Sequence, residues 1–141
     1  MSDLDRAIAF YRDVLGFELQ HRYGDQAAFL SAGGYHHHIG LNTWESLGGS
    51  PPPRGTTGLY HVAIRYPDRE TLGRAVKAVI DAGVPLSGAS DHGVSEAIYL
   101  HDPDQNGIEL YRDRAREEWP DEMYSAPLDV DALLAEASAA P

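Results

Sequence analysis

With seven histidines and no cysteine, the chain has imidazole and carboxylate as its available metal-binding and acid–base groups. Three of those histidines stand together in Tyr35-His36-His37-His38-Ile39-Gly40-Leu41-Asn42. Read as a strand, residues 35–42 send alternate side chains to opposite faces, so at least one imidazole faces inward. Half-exposed filler is the plain alternative to proton or metal chemistry there. His61 lies in the apolar run Leu59-Tyr60-His61-Val62-Ala63-Ile64, on the face opposite to Tyr60 and Val62. Taken alone, it could be a core histidine bonded to a backbone carbonyl. Glu109 sits between Ile108 and Leu110, where a mid-strand carboxylate is costly unless exposed, paired or bound to a cation. If the strands of His61 and Glu109 are neighbours, the two form a hard-to-borderline donor set suited to Fe(II), Mn, Zn or Ni.

The elements that must position these groups occur in a repeated order. Ser2 followed by Asp5 reads as a capping box, and Leu4, Ala7, Ile8, Tyr11, Val14 and Leu15 fall on one helical face that Gly16 ends. Strands follow at 17–23, 26–32 and 35–42, separated by glycine turns. A second series begins with a strand over 59–66 and a helix capped near Asp68, with Leu72, Ala75, Val76, Val79 and Ile80 inward and Gly83 as its stop. Strands at 84–89, 97–101 and 108–111 complete it. Ile39-Gly40-Leu41 matches Ile108-Glu109-Leu110, as an internal duplication would.

The fold class is therefore α+β, with two tandem βαβββ modules, the first lacking its first strand in this chain. The expected boundaries are 1–48 for the first module, 49–57 for a linker within a Gly-, Ser- and Pro-rich stretch, and 58–114 for the second module. A tail over 115–141 carries a short helix at 128–137 and packs across the modules or onto a partner chain.

The 141 residues suffice for one compact domain or two half-sized modules sharing a core. A formal charge of −11 with no local Lys/Arg cluster argues against nucleic acid as a partner. No apolar run is long enough for a bilayer of about 30 Å, which argues against a membrane span. No secretion signal precedes the first helix, and the absence of cysteine also points to the cytoplasm.

Two segments carry a family resemblance. Asp3-Leu4-Asp5-Arg6-Ala7-Ile8-Ala9-Phe10-Tyr11-Arg12-Asp13-Val14-Leu15-Gly16-Phe17 resembles the first helix of the vicinal oxygen chelate superfamily of glyoxalases, bleomycin-resistance proteins and type I extradiol dioxygenases. The stretch from His92 through Tyr99 and Asp102-Pro103 to Glu109 resembles the extradiol signature, closest to members like catechol 2,3-dioxygenase.

The resemblance implies that His61 and Glu109 are metal ligands and that His92 and Tyr99 contact an aromatic substrate or oxygen. Residues 36–38 match the family's His-His pair, whose second member acts as acid/base. That member is His37, or His38 if the register slips by one. The family's remaining ligand, a His on the first strand, has no counterpart here. The usual Gly of the turn is Gln105, with Asn106-Gly107 expected to supply the positive φ. A glyoxalase I would carry a Glu where the repeat has Gly40, so ring cleavage with Fe(II) and O₂ ranks above glyoxalase chemistry. A metal-free drug-binding module is the other alternative. With only two ligands, the lone chain is expected to bind metal weakly and to homodimerise over its open sheet edge.

Overall fold

A computed structural model describes the backbone of residues 1–139 and the side chains of residues 1–137; the last residues of the expected tail, Ala140 and Pro141, lie outside the described residues. The chain divides into two compact units, Met1–Gly58 with Asp102–Asn106, and Leu59–His101 with Gly107–Pro141. Among the described residues no helix is long and apolar enough to cross a membrane.

In the first unit, helix α1 (Leu4–Ala9) is capped by Asp3, whose side chain accepts from the Arg6 N–H. Ser2, expected as the cap, instead donates its backbone N–H and its hydroxyl to Asp104. The helix continues as a π-helical turn over Phe10–Val14. Phe10 and Tyr11, at the start of that turn, are both buried. Strands β1 (Glu18–Tyr23), β2 (Ala27–Ser31) and β3 (Ile39–Asn42) then form an antiparallel sheet in the order β1-β2-β3.

Two further sequence expectations fail in this unit. The third strand begins at Ile39, and Tyr35 to His38 lie in bends before it. Strand β2 ends at Ser31 and Leu30 already pairs with Ile39, so little ladder remains for the residues before Ile39. The alternation argument for the three histidines lapses with the strand. The positive φ of the 102–106 turn is taken by Gln105 itself, at 67°, the one non-glycine residue with positive φ among those described.

In the second unit, β4 (His61–Arg65) leads to helix α2 (Arg69–Asp81), where the Asp68 carboxylate accepts from the Thr71 N–H. Strands β5 (Leu86–Asp91), β6 (Ser95–His101), β7 (Gly107–Asp113) and the short β8 (Ala126–Pro127) complete a five-stranded sheet ordered β4-β7-β6-β5-β8. Val62 to Arg65 run parallel to Ile108 to Tyr111, and all other pairs are antiparallel. The core is Leu72, Val76, Val79, Ile98, Leu100, Ile108 and Leu110, each fully buried.

Helix α3 (Val130–Ala139) packs on α2, the helix of its own unit. Gly73 makes this possible, since a Cβ there would stand 2.7 Å from the Leu133 carbonyl oxygen. Ile80, expected inward, is exposed, and Gly73 takes a buried place on that face.

The fold is thus α+β, with a helix followed by three strands occurring twice and a strand preceding the helix only in the second series.

Candidate active site

Register brings three of the expected residues to one place on the second sheet. On the antiparallel β6–β7 pair Tyr99 stands directly opposite Glu109, so their side chains share a face. On the parallel β4–β7 pair His61 aligns with Gly107, two positions before Glu109 and therefore on the same face again. Ile108 and Leu110 turn the other way into the core. Gly107 is a close-approach residue rather than a turn residue, because a Cβ there would lie 2.1 Å from the Tyr60 carbonyl oxygen.

His61 Nε2 lies 2.9 Å from Glu109 Oε2. Tyr99 Oη is 3.4 Å from Glu109 Oε1 and 2.9 Å from His92 Nε2. A continuous polar line therefore runs from His92 through Tyr99 and Glu109 to His61. Burial, and next the negative charge and hydrogen bonding of Glu109, hold the Tyr99 phenol above the ordinary tyrosine pKa, so it stays protonated as a donor at neutral pH. His61 Nδ1 is buried without a hydrogen-bond partner. A pocket of about 380 Å³ opens beside this line, bounded by Tyr60, His61, Ser87, Tyr99, His101 and Gly107. That volume suits a ligand of one or two rings.

The donor chemistry of His61 and Glu109 fits a borderline divalent cation: one imidazole and one carboxylate converge at the pocket wall, and the imidazole is half desolvated. They are two donors. No group of three His, Cys, Asp or Glu positioned to hold a metal occurs among the described residues.

The His36–His38 segment belongs to the first unit. The Nδ1 atoms of His36 and His37 are 2.8 Å apart, and the His37 ring lies 5.0 Å from that of Phe29 at a tilt of 59°. His38 Nδ1 accepts from the Ala32 N–H at 3.2 Å, which ties that ring to its own hairpin.

Sequence reasoning missed three participants. His101 shares the face of Tyr99 two residues earlier, a signal that strand alternation supplies. Tyr60 precedes the start of β4, so the alternation that would turn it away from His61 does not govern it. Tyr124 reaches the site through its backbone carbonyl, 3.2 Å from His92 Nδ1, and its side chain gives no clue.

Comparison with known proteins identifies the family. Residues 1–110 match the family model of the Glyoxalase/Bleomycin resistance protein/Dioxygenase superfamily. The chain is 41% identical over 140 residues to a catechol-2,3-dioxygenase of Bacillus subtilis (strain 168), covering 95% of this chain and 48% of that protein. It is 31% identical over 131 residues to biphenyl-2,3-diol 1,2-dioxygenase 3 of Rhodococcus globerulus, covering 88% and 66%. The chain thus spans about half the length of the first relative and just under two thirds of the second. Among solved structures, a glyoxalase/dioxygenase from Nostoc punctiforme superposes with a TM-score of 0.68 at 20% identity, covering 82% of this chain and 86% of that one, a likeness of fold. On sequence, fold and the family model together, the chain belongs to the glyoxalase, bleomycin resistance and dioxygenase superfamily.

Proposed function

We propose that this chain contributes to a metal-dependent extradiol dioxygenase that opens the ring of a small catecholic aromatic with O₂. The observation that carries the reading is the line His92–Tyr99–Glu109–His61 beside a pocket of about 380 Å³. Both relatives are named for dioxygenases of aromatic diols, which favours the same class of substrate.

His61 and Glu109 would hold the cation, Fe(II) by preference and Mn, Zn or Ni as substitutes. When bound, the metal supplies the electron relay between catechol and O₂. The residues do the rest. Tyr99, kept protonated, and His92 orient the substrate oxygens, and polar groups fixed in place beforehand cost no reorganisation during reaction. His37 serves as the acid/base, with His38 the second choice. Residues 1–48 and 58–114 are taken as the two modules, 49–57 as their linker and 115–141 as the tail.

Strand β4, at the edge of its sheet and preceded by exposed Leu59 and Tyr60, favours a homodimer in which a second copy covers that edge.

The test loads purified protein with Fe(II) without oxygen, adds a catechol and air, and follows the yellow ring-opened product alongside iron per chain. Product that vanishes on chelation supports the proposal. Because the described residues offer two donors only, a metal-free binding module of the bleomycin-resistance kind is the second reading. Tight binding of an aromatic cation by metal-free protein, with no iron uptake, would favour it. A glyoxalase-type lyase is disfavoured by Gly40, which leaves no carboxylate at the position equivalent to Glu109.

A further inference from the structure

The His92 ring is held from both sides. Its Nε2 lies 2.9 Å from Tyr99 Oη, and its Nδ1 lies 3.2 Å from the Tyr124 carbonyl oxygen. A carbonyl only accepts, so the second contact is a hydrogen bond only when Nδ1 carries the proton. A neutral ring protonated at Nδ1 has a bare Nε2, which only accepts. The single Tyr99 proton then goes to His92 rather than to Glu109 Oε1, 3.4 Å away. Tyr99 turns its lone pairs away from the imidazole, and Glu109 keeps its own free for His61 and a cation.

The tail segment that carries this carbonyl is fastened at both ends. The Trp119 indole N–H donates to the Arg114 carbonyl at 2.9 Å, and Ala126 pairs with Asp91 in the sheet. Between these anchors the rings of Pro120 and Tyr124 lie over Gly93, the residue after His92. A Cβ on Gly93 would come within 2.8 Å of Pro120 Cγ and closer still to the Tyr124 ring. Gly93 is fixed in turn, with φ +74° and its N–H 2.8 Å from Asp91 Oδ1. Imidazole and carbonyl are thus placed by tail rings that pack directly on the backbone next to His92.

We infer that the tail segment 120–127 is a positioning element of the site: the Tyr124 carbonyl locks His92 in its Nδ1–H tautomer and thereby sets the direction of the Tyr99 hydroxyl. The consequence for turnover rests on the ring-cleavage reading, whereas the tautomer does not.

The experiment is long-range ¹H–¹⁵N NMR of the imidazoles in the metal-free protein at pH 8, where free imidazole is neutral. The His92 signals are identified by their loss in His92→Gln. Wild type and Tyr124→Phe, which keeps the packed ring, are expected to show His92 in the Nδ1–H form. The P120G/Y124G double variant frees the carbonyl while leaving β8 and α3 intact. Its tautomer ratio is expected to move toward Nε2–H by on the order of fivefold, the worth of one hydrogen bond. In iron-loaded protein the same variant should lose kcat while iron content and KM stay near wild type. An Nε2–H ring in the wild type, or an Nδ1–H ring undisturbed in the double variant, overturns the inference. Failure of the ring-cleavage reading looks different: wild-type protein would not turn over a catechol, whatever its tautomer.

Discussion

His61 and Glu109 meet at 2.9 Å although their backbones are out of step by two residues, because a parallel pair of strands lets a forward-leaning side chain on β4 reach its neighbour's carboxylate on β7. The contact satisfies one oxygen of a largely buried carboxylate and one nitrogen of a ring whose other nitrogen has no partner.

Glu109→Gln keeps the shape and removes the charge. Affinity for Fe(II) or Zn(II) is expected to fall by more than the roughly 10–100-fold that loss of a supporting group costs a metal site, so that less metal stays with the chain. Elemental analysis after gel filtration measures it, with circular dichroism confirming the fold; undiminished metal would move the cation elsewhere.

His37→Ala is expected to lower catechol turnover by roughly 10²–10⁴-fold, the usual contribution of a general acid–base group, at unchanged iron content. His38→Ala is expected to act mainly on stability, since its ring accepts the Ala32 N–H. Steady-state kinetics and thermal melts on both variants decide the assignment, and equal kinetic losses would move the role along the segment.

Tyr11→Phe removes one of four hydrogen bonds received by Asp102, which also accepts from the Asp104 N–H and from the backbone and side chain of Asn106. Asp102 is fully buried, and Tyr11 itself is held protonated by burial and by that carboxylate. Loss of a bond to a buried charge should cost about 1.5–3 kcal/mol in urea-denaturation experiments. A change below about 0.5 kcal/mol, within the usual range for surface substitutions, would show that the turn does not depend on it.

Asp91 gives the fold an acid limit. Burial pushes its pKa up, but the Gly93 N–H and the Arg114 guanidinium 2.7 Å away together outweigh that and hold it below the ordinary carboxylate value. A depressed pKa means stability that is complete above the unfolded value of about 3.9 and is lost as pH falls through the lower folded value. Asp91→Asn should melt earlier than wild type at pH 7, with the gap narrowing below about pH 4. Melting curves from pH 7 to 2.5 test this, and a constant gap would refute it.

What sequence could read was what repeats at short range. Alternation placed Glu109 away from Ile108 and Leu110, and the duplicated order suggested that the strand of His61 lies beside it; both features are in the structure. The helical period found Leu72, Val76 and Val79 but gave no hint of Gly73, whose burial depends on a helix sixty residues later. Residues 35–42 look like a strand by composition, yet β2 runs out of ladder and the histidines stack on their neighbours instead. The Tyr124 carbonyl was illegible in principle, since every residue has one and only the path of the tail selects it.

The turn Asp102–Asn106 belongs to the first unit although the chain on both sides of it belongs to the second. The polypeptide therefore changes unit at residues 58/59, 101/102 and 106/107. A fragment starting at Leu59 would carry Asp102 and Asp104 away from Tyr11, Ser2 and Arg6, and one ending at Gly58 would strand those donors without acceptors. The two halves are therefore not interchangeable parts. A recombination that swapped one half for a foreign module would have to bring along a matching five-residue loop from the middle of the other.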